Sequence, residues 1–260
     1  MINFKIVHVQ VSDKTFCSML LDTCKSNIDQ LVVAFFQGSL LLEAMTSAGV
    51  GAVYQVRKKE RTGICAALIN REKRCLVTEL NAAVNFDADI HNDAAIDGAL
   101  SEACLIYVGG YMWTSSPSTV VAVANYANEN NVPLAMNLHA SYLCSFFASP
   151  EYDILPQIDY LFGNAREALC FAQCLAASKL PYASLFSRFL EETEPSPQIV
   201  LDIAKEVAML PKITGSGRQV IFTNGRNPVA FCDSTAEVRG LTPVLPLPVD
   251  QVKDTNGCGD

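Results

Sequence analysis

Short β-rich runs alternate with amphipathic helical stretches along most of this sequence, and this alternation restricts the possible folds more than any other feature. The run CLIYVGG at 104–110 is typical of a buried strand that ends in a glycine turn. Ser116 and Pro117 then indicate the start of a helix, and the run VPLAMNL at 132–138 predicts the next strand. Strands separated by helices of about ten to fifteen residues are typical of βαβ units. The sequence therefore predicts an α/β, Rossmann-like fold with a mostly parallel central sheet and helices on both faces.

The second half of the chain continues the alternation. The run DYLFGN at 159–164 predicts a strand and a turn, and two helical stretches follow before the strand-like run RQVIFTNG at 218–225. Residues 50–80 differ, because they indicate short strands joined by a charged turn and a tight turn. This pattern predicts antiparallel hairpins at the edge of the sheet or in a small attached lid.

The composition limits the function classes that this chain can belong to. Of its 260 residues, 50% are apolar and 18% are charged, which is typical of a globular protein. The formal net charge of −8 argues against nucleic acid or an anionic membrane as a partner, because both need a basic face. No apolar run has the length of a membrane span, and the N-terminus lacks the pattern of a secretory signal. We therefore expect a cytoplasmic protein.

The ten cysteines are spread along the chain without a CxxC pair, and only three histidines are present. Cys170 and Cys174 have the spacing of one helix face, but no histidine lies near them in the sequence. These features favour reduced, mostly buried thiols over a zinc site.

The chain closes with the motif DTNGCGD at 254–260. The successive amides of Gly257, Cys258 and Gly259 can point into one concavity, because glycine tolerates the backbone angles that such a turn requires. Asp260 would then hold a carboxylate beside a phosphoryl group, where it could accept a proton from an attacking hydroxyl. The alternative is an Asn-Gly turn that only caps a helix.

A second motif, FGNAREA at 162–168, directly follows a predicted buried strand. Asn164 and Glu167 are three residues apart at a helix start, so their side chains face the same way. A carboxamide and a carboxylate in this arrangement could hold water or Mg²⁺ near phosphates. The alternative is a capping box with no function beyond starting the helix.

A third motif, VIFTNGR at 220–226, brings Thr223, Gly225 and Arg226 to the carboxyl end of a strand. Ligands of open parallel sheets collect at that edge. A plain hairpin turn at Asn224 and Gly225 is the alternative. All three motifs follow strands, so the sequence predicts that they meet at one edge of the sheet.

The order of these motifs resembles that of the ribokinase-like (PfkB-type) carbohydrate and nucleoside kinases. An N-x-x-E element, a strand that ends in T-x-G-R and a final D-T-x-G-x-G-D occur in the same order there. Within that family the chain looks most like the adenosine kinases, over roughly residues 38–260. Five spaced segments carry this likeness: RTGICAALI (61–69), YVGGYMWTSSP (107–117), MNLHASYLCSFF (136–147), LFGNAREA (161–168) and VIFTNGR (220–226).

The resemblance implies transfer of the γ-phosphoryl group of ATP to the 5′-hydroxyl of adenosine, with Mg²⁺ as cofactor, in purine salvage. It implies that Asp260 is the base and that Gly257, Cys258 and Gly259 form the anion hole. Cys258 stands where the family usually has a small alanine, but the contact there is made through the backbone.

For the ATP side, the resemblance implies that Asn164 and Glu167 organise Mg²⁺ through water. It also implies that Asn164, Thr223, Gly225 and Arg226 bind ATP.

For the acceptor side, the resemblance implies that Tyr111 and Tyr142 place aromatic rings against the nucleoside, and that Asn137 binds the substrate. Stacking of that kind suits a purine face. Either tyrosine could instead belong to the core, and Asn137 could simply end a strand.

Residues 1–37 do not resemble the family, so we expect a kinase domain at 38–260 with lid-type strands at about 50–63. The family carries a Gly-Gly element in its N-terminal part, whereas no glycine precedes Gly38 here. The family also continues past the final motif into a helix behind the anion hole. We therefore expect a monomer that lacks segments at both ends and uses the site poorly. The alternatives are a kinase for another sugar or nucleoside and a non-catalytic remnant that binds a nucleotide or a partner.

Overall fold

The structure is a computed structural model, and it describes residues 6–7, 30–34, 38–70, 73–86, 94–213, 217–234, 239–245 and 247–248. The chain divides into two compact units. The first comprises Met1–Ala88 with Pro246–Asp260, and the second comprises Asp89–Leu245.

The described residues of the first unit form two small sheets. Strand β1 (Ile6–Val7) pairs in parallel with β3 (Ala52–Val53). An antiparallel sheet has the order β2-β4-β5, and its strands are β2 (Gln30–Ala34), β4 (Ile64–Asn70) and β5 (Lys73–Glu79). Of the antiparallel hairpins predicted between residues 50 and 80, the one formed by β4 and β5 is present. The first predicted strand, at Ala52–Val53, pairs in parallel with β1 and not with β4. The lid role of residues 50–63 stays a prediction. The helical elements among the described residues of this unit are α1 (Gly38–Ser47) and the 3₁₀ helix Asn81–Asn85.

The second unit contains one six-stranded sheet. Its strands are β6 (Ile106–Gly109), β7 (Leu134–Asn137), β8 (Tyr160–Asn164), β9 (Gln219–Asn224), β10 (Asn227–Asp233) and β11 (Arg239–Thr242). They lie side by side in the order β11-β10-β9-β8-β7-β6. Strands β6 to β9 are parallel, whereas β10 and β11 are added as an antiparallel meander. The predicted mostly parallel α/β sheet is confirmed.

Helices alternate with the parallel strands, as the sequence pattern predicts. The α-helices are α2 (Ala94–Ser101), α3 (Met112–Ser115), α4 (Pro117–Glu129), α5 (Cys144–Phe147), α6 (Ala165–Ala177) and α7 (Pro197–Ala208). Three 3₁₀ helices lie at Ser141–Leu143, Leu155–Gln157 and Ala183–Phe189. No helix among the described residues is long and apolar enough to cross a membrane.

Local sequence explains where two of these helices begin. Ser116 and Pro117 occupy the predicted start of α4, but the Ser116 hydroxyl hydrogen bonds to the hydroxyl of Thr119 (2.8 Å) instead of capping a backbone amide. Ser196 does cap α7, because its hydroxyl accepts a hydrogen bond from the amide of Ile199 (3.3 Å).

One face of the parallel sheet is fully buried. Alternate residues of each strand point to the same face of a sheet, and the buried set includes Val108, Leu161 and Phe222. Residues at the intervening positions, such as Tyr107 and Phe162, keep part of their surface exposed. The crossovers from β6 to β9 advance in one direction, so the right-handed rule places the helices inside these crossovers, α3 to α7, on one common face. The helices predicted for the other face would come from segments outside these crossovers.

Arg218, directly before β9, ties the sheet to the surrounding helices. Arg218 is fully buried, and this burial lowers the pKa of its guanidinium to about 10, although Tyr182 and Asp159 counteract the shift. The guanidinium donates five hydrogen bonds to backbone carbonyls, those of Leu155, Ile158, Val207, Leu210 and Pro211. A guanidinium has five N–H donors, so this contact set satisfies the buried charge.

A buried ion pair lies beside Arg218. Lys212 donates to one carboxylate oxygen of Asp159, and both side chains are almost fully buried. The other oxygen of Asp159 accepts a hydrogen bond from the amide of Leu134 (2.8 Å). Asp159 thus connects the start of β8 to the start of β7.

We expect Arg218→Met to lower the free energy of unfolding by about 3–5 kcal/mol, because five buried carbonyls lose their donors. The measurement is a urea titration followed by the fluorescence of Trp113, the single tryptophan, which is buried in the core of this unit.

The matched control is Arg188→Met. Arg188 is largely exposed, pairs with Glu206 at 2.7 Å and lies over the ring of Phe189. We expect this change to cost at most about 1 kcal/mol. Equal losses for the two variants would contradict a structural role for Arg218.

Candidate functional site

The parallel register brings the ends of four strands to one edge of the sheet. Gly109 at the end of β6 pairs with Asn137 at the end of β7, and Asn137 also pairs with Phe162 in β8. Asn164 at the end of β8 is the register partner of Thr223 in β9. The N-x-x-E and T-x-G-R motifs therefore meet at the carboxyl edge, as the sequence predicts.

Asn164 and Glu167 form a reciprocal capping box at the start of α6. The Glu167 amide donates to Asn164 Oδ1 (3.0 Å), and the Asn164 amide donates to Glu167 Oε2 (3.0 Å). The Asn164 side-chain Nδ2 also donates to Glu167 Oε1 (2.6 Å). The capping-box interpretation from the sequence is thus confirmed as local structure, and a role near phosphates or Mg²⁺ stays a prediction.

The carboxyl group of Glu167 is buried, whereas Asn164, whose carboxamide bonds to it, is exposed. Burial raises the pKa of Glu167, while the hydrogen bonds from the Asn164 backbone and side chain oppose this shift. A Cβ on Gly163 would lie 3.3 Å from Glu167 Oε2 and 3.0 Å from Leu138 Cδ1. The absence of a side chain at position 163 therefore makes room for the carboxyl group at the strand end.

The third motif is a tight hairpin at the same edge. Strand β9 ends at Asn224 and β10 begins at Asn227, so that Gly225 and Arg226 form the loop. Gly225 has a φ of 56°, a left-handed conformation that favours glycine. Thr223, Gly225 and Arg226 are exposed, which leaves them accessible to a ligand at the edge.

The predicted acceptor residues lie at the ends of β6 and β7. Tyr111 is 51% exposed and Tyr142 is 64% exposed, so neither belongs to the core. Asn137 Oδ1 accepts a hydrogen bond from the backbone amide of His139 (2.9 Å), and the Asn137 side chain also bonds to Tyr107. Burial raises the pKa of the Tyr107 hydroxyl, and its bond to Asn137 opposes the shift.

His139 lies beside the predicted acceptor residues, and the sequence analysis does not single it out. Its Nδ1 accepts a hydrogen bond from the amide of Gly110 (2.8 Å). Its ring stacks on Tyr111, with 4.9 Å between the centroids and 22° between the planes. The position of a histidine directly after a predicted strand was the available signal, but its partners lie about 28 residues earlier in the chain.

The closing motif lies outside the described residues. Gly257, Cys258, Gly259 and Asp260, predicted as anion hole and base, therefore stay predictions. In the part of the chain that the structure describes, no group of three or more His, Cys, Asp or Glu side chains could hold a metal ion. The oxygen atoms of Asn164 and Glu167 nevertheless fit Mg²⁺ that keeps most of its waters, since Mg²⁺ prefers oxygen ligands.

Comparison with known proteins gives a consistent result. Residues 32–260 match the model of the pfkB family carbohydrate kinases. The chain is 32% identical to adenosine kinase 2 of Arabidopsis thaliana over 225 residues, and 33% identical to the adenosine kinase of Saccharomyces cerevisiae over 220 residues. These matches cover 86% and 85% of this chain.

A solved structure is similar as well. The Anopheles gambiae adenosine kinase in complex with P1,P4-di(adenosine-5) tetraphosphate superimposes with a TM-score of 0.72 at 31% identity, over 85% of this chain and 60% of that chain. The chain spans 59% and 58% of the length of the two curated relatives.

We expect Gly110→Ala to destabilise the turn after β6, because the new Cβ would lie 2.3 Å from the carbonyl oxygen of Asn137 and 2.9 Å from that of Leu138. Overpacking of this kind should cost about 3 kcal/mol of unfolding free energy, measured by urea titration of the Trp113 fluorescence.

Gly98→Ala serves as the control. A Cβ at Gly98 in helix α2 would meet no atom within 4 Å, and we expect a gain of up to about 1 kcal/mol from the better helix former. A tolerated Gly110→Ala would contradict the close approach of the β6 turn to the end of β7.

Proposed function

Because this chain belongs to the pfkB family of carbohydrate kinases, we propose that it carries the phosphoryl-transfer site of an adenosine kinase, which converts ATP and adenosine to ADP and AMP. The observation that carries the proposal is the register pairing of Asn164 with Thr223, which joins two predicted ATP-binding motifs at one sheet edge. Relatives of about 30% identity that are adenosine kinases support this acceptor. A kinase for another sugar or nucleoside is the second candidate, because family membership alone fits it equally well.

On the ATP side, phosphates would lie at the carboxyl edge between α6 and the β9–β10 loop. The first turn of α6 presents backbone amides and a positive dipole end there. The exposed Thr223 hydroxyl, the exposed backbone amide of Gly225 and the cation of Arg226 add donors around the same edge. A few local donors suffice for a polyanion even in a chain of net charge −8.

Mg²⁺ would be held through water by Asn164 and the carboxyl group of Glu167. When bound, the ion neutralises charge on the transferring phosphate. The reciprocal hydrogen bonds within the capping box fix both side chains in one orientation. This restraint lowers the entropy lost when a hydrated ion is bound.

On the acceptor side, Tyr111 and Tyr142 would stack against the adenine, and Asn137 would lie close to the sugar. Exposed aromatic rings beside a sheet edge are suited to a flat base. A purine base offers these rings a larger flat surface than ribose or fructose does. For this reason we favour a nucleoside over a simple sugar.

The proposed chemistry is a single displacement. The 5′-oxygen of adenosine attacks the γ-phosphorus, the bond from that phosphorus to the bridging oxygen of ADP breaks, and Asp260 accepts the hydroxyl proton. The amides of Gly257, Cys258 and Gly259 would stabilise the charge on the transferring group. Deprotonation of an alcohol by an aspartate is unfavourable. The proton therefore moves late, after electron density has begun to shift from the attacking oxygen to the phosphorus.

The proposal also includes a cytoplasmic location and a monomeric state. The described cysteines, among them the buried Cys144 and Cys232, are free thiols. Free thiols are compatible with a reducing compartment.

The decisive assay measures AMP formation from ATP and adenosine. It uses the 260-residue chain and a version extended after Asp260 by the corresponding C-terminal part of the plant relative. We expect Asp260→Asn to lower kcat by at least about 100-fold with little change in ATP affinity. AMP formation that Asp260→Asn leaves unchanged, or no AMP from either protein, would contradict the proposal. Inosine, ribose and fructose in parallel reactions separate it from the second candidate.

We expect Tyr142→Ala to raise KM for adenosine by roughly 10-fold, because base–aromatic stacking contributes about 1–3 kcal/mol per base. KM for ATP should change little. Tyr142→Phe keeps the ring and is the matched control, which should retain nearly the original KM. A comparable rise in KM for both substrates would place Tyr142 outside the acceptor site.

A further inference from the structure

We propose that His139 is a positioning residue that fixes the Tyr111 ring as a platform for the base of the acceptor nucleoside. This inference rests on the proposed function for the identity of the ligand. It goes beyond that function by assigning a role to a histidine that neither the motifs nor the comparisons indicate. Four structural observations lead to it.

The first observation is the hydrogen bond between the Gly110 amide and His139 Nδ1, at 2.8 Å. Gly110 is buried, and a buried backbone amide needs an acceptor. Because Nδ1 accepts, the proton of the neutral ring resides on Nε2. The imidazole therefore supplies the hydrogen-bond acceptor for the Gly110 amide, which lies beyond the end of β6.

The second observation is the close packing around the ring. A Cβ on Gly109 would lie 3.1 Å from His139 Cε1, and a Cβ on Gly110 would overlap the carbonyl oxygen of Asn137. The glycine pair thus allows the end of β6 to approach the end of β7. The imidazole packs closely against Gly109, where a side chain would leave it less space.

The third observation is the backbone conformation of His139. Its φ of 60° is left-handed and is uncommon for a residue with a side chain. The bond from its amide to Asn137 Oδ1 (2.9 Å) holds the conformation. A strained residue held in this way at a candidate site suggests that the placement of its side chain matters for function.

The fourth observation is the stack on Tyr111, with 4.9 Å between ring centroids and 22° between planes. Tyr111 stays 51% exposed despite this contact, so its ring retains surface for a second flat partner. A ring fixed before the ligand arrives loses less entropy when a base stacks on it. His139 thus acts on the acceptor through Tyr111. We therefore expect substitutions of His139 to change the affinity for adenosine.

His139→Asn and His139→Gly separate the two contacts. Asparagine tolerates a left-handed backbone and its Oδ1 can accept from the Gly110 amide, but the aromatic ring is lost. Glycine adopts the same backbone freely and loses both contacts. Amide hydrogen exchange measured by NMR should show Gly110 protected in the original chain and in His139→Asn, and unprotected in His139→Gly.

Adenosine binding is then measured by calorimetry, together with KM and kcat. We expect His139→Asn to weaken adenosine binding by about 5-fold, consistent with the energy of a stacked aromatic pair, with kcat and KM for ATP nearly unchanged. Tyr111→Leu should weaken binding similarly, and His139→Asn added to it should have no further effect. The unfolding midpoint from Trp113 fluorescence shows whether each variant is folded.

Three results would overturn the inference. These are adenosine binding that His139→Asn leaves unchanged, additive effects in the double variant, and an unprotected Gly110 amide in the original chain. The first two leave the proposed function standing. If neither the 260-residue chain nor the version extended after Asp260 binds adenosine, the proposed function and the nucleoside role of His139 are both contradicted.

Discussion

The parallel register of β6 to β9 positions the strand ends that form the candidate site. Hydrogen bonds along these strands align Gly109 with Asn137 and Asn164 with Thr223. Residues from four separate segments thereby lie at one edge of the sheet, although most of them do not bond directly to one another. A shift of one residue between β8 and β9 would turn Thr223 to the other face and separate it from the capping box. The arrangement of the candidate site therefore depends on the strand pairing of the sheet more than on any single motif.

Polar groups at the two ends of the strands serve different purposes. Arg218 and Asp159 lie before β9 and β8, and each is buried with its hydrogen-bonding groups satisfied by backbone or by Lys212. Asn164 and Thr223 lie at the carboxyl ends and are exposed. Buried, fully satisfied groups stabilise a fold, whereas exposed groups at strand ends are available to ligands. The amino-terminal edge thus fixes the helices, and the opposite edge carries the proposed chemistry.

The sequence predicts the features that depend on local pattern. The alternation of strands and helices, the capping box at Asn164 and the hairpin loop at Gly225 all follow from spacing within a few residues. His139 and Arg218 could not be predicted in this way. Their roles depend on carbonyls, an amide and a ring contributed by distant segments. A charged residue before a strand is usually exposed, yet the fold buries Arg218 because five carbonyls converge on it.

We propose that ATP phosphates bind at the carboxyl edge of the parallel sheet. Paramagnetic broadening of amide NMR signals by Mn²⁺-ATP tests it directly, because the effect falls steeply with distance. The account predicts strong broadening at Asn164, Glu167, Thr223 and Gly225. It predicts weak broadening at Asp159 and Gln219, which lie at the other ends of β8 and β9, on the order of 15 Å away. Broadening centred on Asp159 and Gln219, or spread without preference over the sheet, would contradict the account.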